Sequence, residues 1–256
     1  MAEADTDAGA LSLDAFLDGR VMIRQPRTGY RAATDPVFLA AATPARPGQA
    51  VLELGCGVGV ASLCLAARVP GLCLTGVELQ PDYAALARRN AAENGATFEV
   101  VAADLSALPP DLRLRQFDHV IANPPFFAPA ATAARDPGRD RAQREATPLA
   151  SWIDIALRRC RDGGHITVIH LTERLPDLLA ALGGRASVTV LPLAARRGRA
   201  ARRVILRARK GGRSPFVLLP PLVVHEGAAH PGDGEHFTPA VRAVMRAGAA
   251  LPFGER

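Results

Sequence analysis

The sequence predicts an α/β protein built on a mostly parallel sheet. Three observations point there. Apolar runs of strand length alternate with helix-length segments, which is the pattern of βα units. A glycine-rich turn, Glu53-Leu54-Gly55-Cys56-Gly57-Val58-Gly59, follows the first run and opens a helix. A second turn, Asn123-Pro124-Pro125-Phe126, follows the fourth run. Both lie at strand carboxyl ends, where open α/β sheets bind ligands.

The elements follow in order. Ala50 to Leu54 reads as the first strand, and the helix after the glycine turn runs to about Arg68. Leu72 to Glu78 is the second strand. Pro81 suits the first turn of the next helix, which stops at Asn94-Gly95. Thr97 to Ala102 is a third strand and Phe117 to Ala122 a fourth. Leu149 to Arg161 reads as a helix ended by Asp162-Gly163-Gly164, with His165 to His170 as a fifth strand. Ala186 to Leu193 and Arg203 to Arg209 are two later strands. The stretch from Ala128 to Thr147 is too long for a routine turn, and such loops are usually functional or mobile.

A chain of 256 residues suits one domain, here residues 14–256 behind a flexible tail of residues 1–13. No apolar run is long enough to cross a bilayer. The acidic start, Met1 to Ala10, lacks the basic opening and apolar core of a signal peptide. Cys56, Cys64, Cys73 and Cys160 form no Cys-x-x-Cys pair and have no histidine cluster beside them. No metal site is therefore expected, and the spacing suits a reduced, cytoplasmic protein. The net charge is +6, and Lys210 is the only lysine. A GC-rich genome explains the arginine preference but not the positive balance, which suits an anionic partner such as RNA.

The glycine turn has the spacing Gly55-x-Gly57-x-Gly59, and Val60 stands where a dinucleotide fingerprint would end. The turn therefore suits a ligand without a pyrophosphate at the helix start. Glu78 ends the second strand, where a carboxylate can hold both hydroxyls of a ribose. Asp104 follows the third strand and either faces an adenine edge or is a surface carboxylate. At the fourth strand, the Asn123 side-chain oxygen and the Pro124 carbonyl can accept both N–H groups of one amine. Such acceptors draw a planar nitrogen toward tetrahedral geometry, freeing its lone pair to attack a sulfonium methyl in line. Phe126 can stack on the attached base. Phe127 either shares that contact or plugs the sheet end.

Together these residues resemble the class I S-adenosylmethionine-dependent methyltransferases. That resemblance implies a Rossmann-like, doubly wound, seven-stranded sheet with one antiparallel strand and helices on both faces. More narrowly, the chain resembles the bacterial tRNA (adenine-N6)-methyltransferases of the small-domain group. Four regions carry the likeness: the segment Gly29 to Leu39, the donor turn, Asn123 to Phe126, and the tail with Val223 to Gly227 and Phe237-Thr238-Pro239. It implies that S-adenosyl-L-methionine is the cofactor and that RNA, as tRNA, is the partner. It also implies that residues 14–45 cap the donor site, with Thr34, Asp35, Glu53, Gly55, Gly57, Gly59, Glu78, Asp104 and Asn123 at the cofactor. Asn123, Pro124 and Phe126 would carry catalysis. Pro125, Phe126, Phe127 and Arg144 would meet the substrate. Arg196 and Arg197 open an arginine-rich stretch that either tracks an RNA backbone or is a solvated hairpin. Asn-Pro-Pro-aromatic turns also serve guanine-N2 methylation of ribosomal RNA, glutamine methylation in release factors and adenine methylation in DNA. A non-catalytic RNA-binding scaffold is the alternative from another class.

Overall fold

The computed structural model describes residues 10–126, 147–227 and 236–253. Seven long strands make the sheet: β3 (Ala50–Leu54), β4 (Cys73–Glu78), β5 (Phe98–Ala102), β6 (Phe117–Ala122), β7 (Cys160–Leu171), β8 (Ala186–Ala194) and β9 (Ala201–Lys210). They lie in the order β5-β4-β3-β6-β7-β9-β8, and β9 runs antiparallel to both its neighbours. The seven strands expected from sequence are therefore all present, with a single antiparallel member. Two further strands, β10 (Val217–Leu218) and β11 (Leu222–Val223), each pair with β8 and widen the sheet to nine.

Helices cover both faces, as right-handed crossovers in a parallel sheet require. On one face pack α1 (Asp35–Ala42), α2 (Val60–Arg68), α3 (Pro81–Glu93) and the C-terminal helix α7 (Pro239–Ala247). On the other pack α4 (Pro110–Leu114), α5 (Leu149–Arg159) and α6 (Leu175–Leu182). The inner parallel strands β3, β4 and β6 are near-continuous apolar runs because both faces are buried.

Two features depart from the sequence expectation. Residues 1–13 are not wholly a tail, because β1 (Leu11–Phe16) pairs antiparallel with β2 (Val21–Pro26). The edge of β2 is held by two amides one helical turn apart, Asn90 on α3 and Asn94 capping its C-terminus. Asn90 Oδ1 accepts from Arg24 N–H at 2.8 Å, and Asn94 Oδ1 accepts from Met22 N–H at 2.9 Å. This hairpin leads through residues 30–36 into α1. The second departure is that β7 begins at Cys160, not His165, and so absorbs Asp162-Gly163-Gly164. The pairing with β6 shifts register between Phe117 and His119. A Cβ on Gly164 would lie 2.7 Å from the Asp118 carbonyl oxygen, so glycine permits the close approach. No helix among the described residues is long and apolar enough to cross a membrane. Among them, no group of three or more His, Cys, Asp and Glu is placed to hold a metal ion.

Candidate active site

A cavity opens at the carboxyl ends of β3, β4 and β6, between the glycine turn and the Asn-Pro-Pro-Phe turn. Gly55, Gly57 and Gly59 have φ of +64°, +54° and +91°, in the left-handed region that favours glycine. At Gly55 a Cβ would also lie 2.6 Å from Trp152 Cη2. Gly57 N–H donates to Glu78 Oε2 at 2.8 Å, and Gln80 N–H donates to Glu78 Oε1 at 2.9 Å. Glu78 therefore ties the glycine turn to the turn after β4. Burial raises its pKa, and the backbone N–H groups it accepts from pull it back down.

Glu53, on β3, is buried and accepts from the Ser62 N–H at 3.0 Å and the Ser62 hydroxyl at 2.5 Å. Burial pushes its pKa up to about 8 despite those two bonds. The carboxyl is therefore mainly neutral at pH 7. Asp104 Oδ1 accepts from the Ser106 N–H and hydroxyl, both at 2.8 Å, so one of its oxygens caps the short turn at Leu105–Ala107.

At the second turn, Asn123, Pro124, Pro125 and Phe126 all line the cavity. Asn123 Oδ1 is buried and has no hydrogen-bond partner among the described residues. A buried amide oxygen left so is costly, by about 1–3 kcal/mol, and marks a place where a donor is wanted. The Arg203 guanidinium lies over the Phe126 ring, 4.4 Å from its centroid. Arg203 Nε donates to Asp35 Oδ2 at 3.1 Å. The His170 ring meets Phe126 edge-on at 5.5 Å. Burial pushes the His170 pKa down to about 4, and the nearby Arg174 charge acts the same way. His170 is therefore neutral at physiological pH, and its Nδ1 accepts from Leu171 N–H at 2.8 Å.

The structure thus gathers Glu53, Gly55, Gly57, Glu78, Asp104, Asn123, Pro124, Pro125 and Phe126 around one cavity. Gly59 stands behind it as the residue preceding α2, its N–H donating to Cys56 O at 2.9 Å. Thr34 and Asp35 do not line the cavity; Tyr30, Ala32 and Pro36 around them do. The Asp35 carboxylate instead faces Arg203, and the Thr34 carbonyl accepts from Phe38 N–H at the start of α1. Arg196 corrects the sequence reading. It is buried, and its Nη1 donates to the Glu226 and Gly227 carbonyls at 2.5 and 3.1 Å. It holds the chain's own backbone and is not presented to a substrate. Arg197 is exposed and away from the cavity. Phe127 and Arg144 lie outside the described residues. Sequence reasoning missed Tyr30, Trp152, His170 and Arg203. For Trp152, the chain's single tryptophan gave a signal, since it falls in a helix following the second turn.

Comparison with known proteins agrees with this geometry. The methyltransferase small domain family model matches residues 34–136. A tRNA1(Val) (adenine(37)-N6)-methyltransferase of Yersinia enterocolitica is 36% identical over 131 residues, 50% of this chain and 51% of its own length. That match spans about half of the relative. A protein of the same name from Dickeya chrysanthemi is 30% identical over 80% of this chain and 83% of its own length. The crystal structure of a predicted O-methyltransferase from Agrobacterium tumefaciens superposes with a TM-score of 0.68 at 27% identity, covering 85% of this chain and 98% of that one. By the small-domain model and the match along most of the Dickeya chrysanthemi protein, the chain belongs to the methyltransferase small-domain family.

Proposed function

We propose that this protein transfers the methyl group of S-adenosylmethionine to an exocyclic base amine, adenine N6 in tRNA, in the cytoplasm. The observation that carries the nitrogen chemistry is the buried, unpartnered Oδ1 of Asn123 beside the Pro124 backbone. An incoming amine supplies the missing donor, and its second N–H reaches the Pro124 carbonyl. An alcohol has one hydrogen to give and would leave one acceptor unmet. The names of the sequence relatives support adenine and tRNA. The hairpin and residues 30–36 serve as the cap over the donor.

When bound, the donor supplies an electrophilic sulfonium methyl. The chain's own residues do the rest. The glycine turn admits the ligand close to the backbone, Glu78 offers its carboxylate to the ribose hydroxyls, and Asp104 stands at the adenine end. Asn123 and Pro124 hold the amine, and Phe126 stacks on its base. Catalysis is then mostly positioning and electrostatics. A base within a folded RNA must first be unstacked to reach this pocket. In place of the inward-turned Arg196, the exposed Arg197, Arg199 and Arg202 offer the hairpin's contact with an RNA backbone. Neutralising those three together should weaken tRNA binding about tenfold and flatten its salt dependence, as read by filter binding over a salt series.

Glu53 gives a pH prediction. Its pKa is raised to about 8 in the free protein, so below pH 8 it is largely protonated. A cationic donor favours the ionised form, and binding must then expel a proton. Donor affinity should therefore rise between pH 6 and 8, by up to about tenfold per unit. Glu53→Gln should flatten that rise in calorimetric titrations. An equal rise in the variant would remove Glu53 from the effect.

The Asp35–Arg203 pair fixes one face of Phe126. Arg203→Met should raise the KM for RNA about five- to tenfold, as expected for losing a cation–π contact of about 1 kcal/mol and an aligned ring. Donor affinity should stay near wild type. The reading as a whole is tested by incubating the protein with labelled donor and separate tRNA, ribosomal RNA and protein fractions. Label in tRNA is expected; label confined to either other fraction would reassign the acceptor.

A further inference from the structure

A second polar site lies on the sheet, at the end away from the methyl-transfer turn. Strand register brings its residues together. His119, His165, Arg209 and Ser187 form one row across β6, β7, β9 and β8. Two residues along, Ile121, Thr167, Arg207 and Thr189 form the next row. Side chains alternate along a strand, so both rows project from the same face as the core residues Ile169, Ile205 and Leu191. That face is apolar near the catalytic turn and becomes polar toward the amino ends of β6 and β7. Within it His119 and Thr167 are buried, while His165, Ser187, Thr189 and Arg207 are half-buried and Arg209 is exposed.

Around these rows is a cavity of about 320 Å³, with Arg46, Arg161, Arg207 and Arg209 in its wall beside the two histidines. Asp118 is the one carboxylate among the described residues lining it. Its two oxygens are already engaged, one by Arg161 at 2.7 Å and the other by Ala50 N–H at 2.8 Å. Positive charge is therefore in excess. The His119 and His165 rings stack with centroids 5.7 Å apart. Burial, aided by the neighbouring charges, pushes both pKa values down to about 4, so both rings are neutral. Gln49 Oε1 accepts from Arg46 N–H at 2.8 Å and lies 2.9 Å from His119 Nε2, which must then be the protonated nitrogen. His119 Nδ1 is left as a buried acceptor, and it and Thr167 Oγ1 have no hydrogen-bond partner among the described residues.

We propose that this cavity binds a phosphate group. Arg46 and Arg209 take its oxygens, Arg207 lying over the Phe253 ring beside them, and His119 Nδ1 accepts from a hydroxyl adjoining the phosphorus or its ribose. Two sources fit that chemistry. A ribose phosphate in an RNA backbone offers its 2′-hydroxyl, and free phosphate offers its own. Along β6 the site stands about 13 Å from Asn123, four residues of strand. It would hold a segment flanking the target nucleotide, not the target itself. Only the RNA source rests on the function proposed above.

The test is an imidazole NMR titration of histidine-labelled full-length protein, with His119 and His165 assigned by substitution. The probes are inorganic phosphate and a short RNA. A saturable shift of both signals with phosphate alone supports a free-phosphate site. A shift with the RNA only supports the backbone. In either case Arg46→Gln/Arg209→Gln, at two exposed positions, should weaken the response at least tenfold while melting like wild type and binding S-adenosylmethionine normally. Absence of any shift with both probes, or an unchanged response in the double variant, overturns the proposal. Neither result touches methyl transfer, which is read separately at the other end of the sheet.

Discussion

Asn123→Ala is expected to lower methyl transfer about a thousandfold while leaving donor affinity within about twofold. Removing one preorganised hydrogen-bonding group from a reacting centre costs about 10² to 10³ in rate. Here the acceptor also sets the nitrogen's geometry, so the upper end is expected. Among the described residues, Asn123 Oδ1 makes no bond that its loss would break. The variant should therefore fold and melt normally. Single-turnover rates and calorimetry on the same preparation separate the two effects. Activity within a few-fold of wild type would refute the role given to Asn123.

Glu78→Ala should act on the donor instead, weakening it about a hundredfold. Two losses add. The carboxylate can no longer receive the ribose hydroxyls, and hydrogen bonds to a charged group are worth about 1.5–3 kcal/mol each. The Gly57 and Gln80 N–H groups also lose their common acceptor, so the glycine turn is no longer held to the turn after β4. Glu78→Gln keeps the shape and one acceptor oxygen and should recover part of the affinity. At saturating donor, both variants should approach the wild-type kcat. A kcat loss that saturation does not relieve would place Glu78 in the chemical step.

Much of this site was legible because its parts follow strands in order. The glycine turn, Glu78, Asp104 and Asn123 each come just after or at the end of an apolar run, and parallel pairing brings those ends together. The strand runs are equally plain, since burial on both faces leaves little polar interruption. What was not legible depends on contacts between distant segments. Arg203 reads as one arginine of many, and only the placing of β9 beside β7 sets it over Phe126 and against Asp35. Arg196 reads as part of a basic surface, and only the fold of the tail shows that it turns inward to two carbonyls. The hairpin of β1 and β2 escaped although its turn carries Asp18-Gly19, because four residues, Leu17 to Arg20, separate the strands where the usual Asp-Gly hairpin has two. Its edge is held by Asn90 and Asn94, far along the chain. In β7, Gly163 and Gly164 look like a break, yet Gly164 lets two strands approach closely.

Nitrogen methylation of a tRNA base is the central claim, and nucleoside analysis tests it most directly. Bacterial tRNA lacking this modification would be incubated with the protein and methyl-labelled S-adenosylmethionine, digested to nucleosides and separated by chromatography with mass detection. Label is expected in N6-methyladenosine and absent with Asn123→Ala. Label in a 2′-O-methylated nucleoside or in N2-methylguanosine would contradict it.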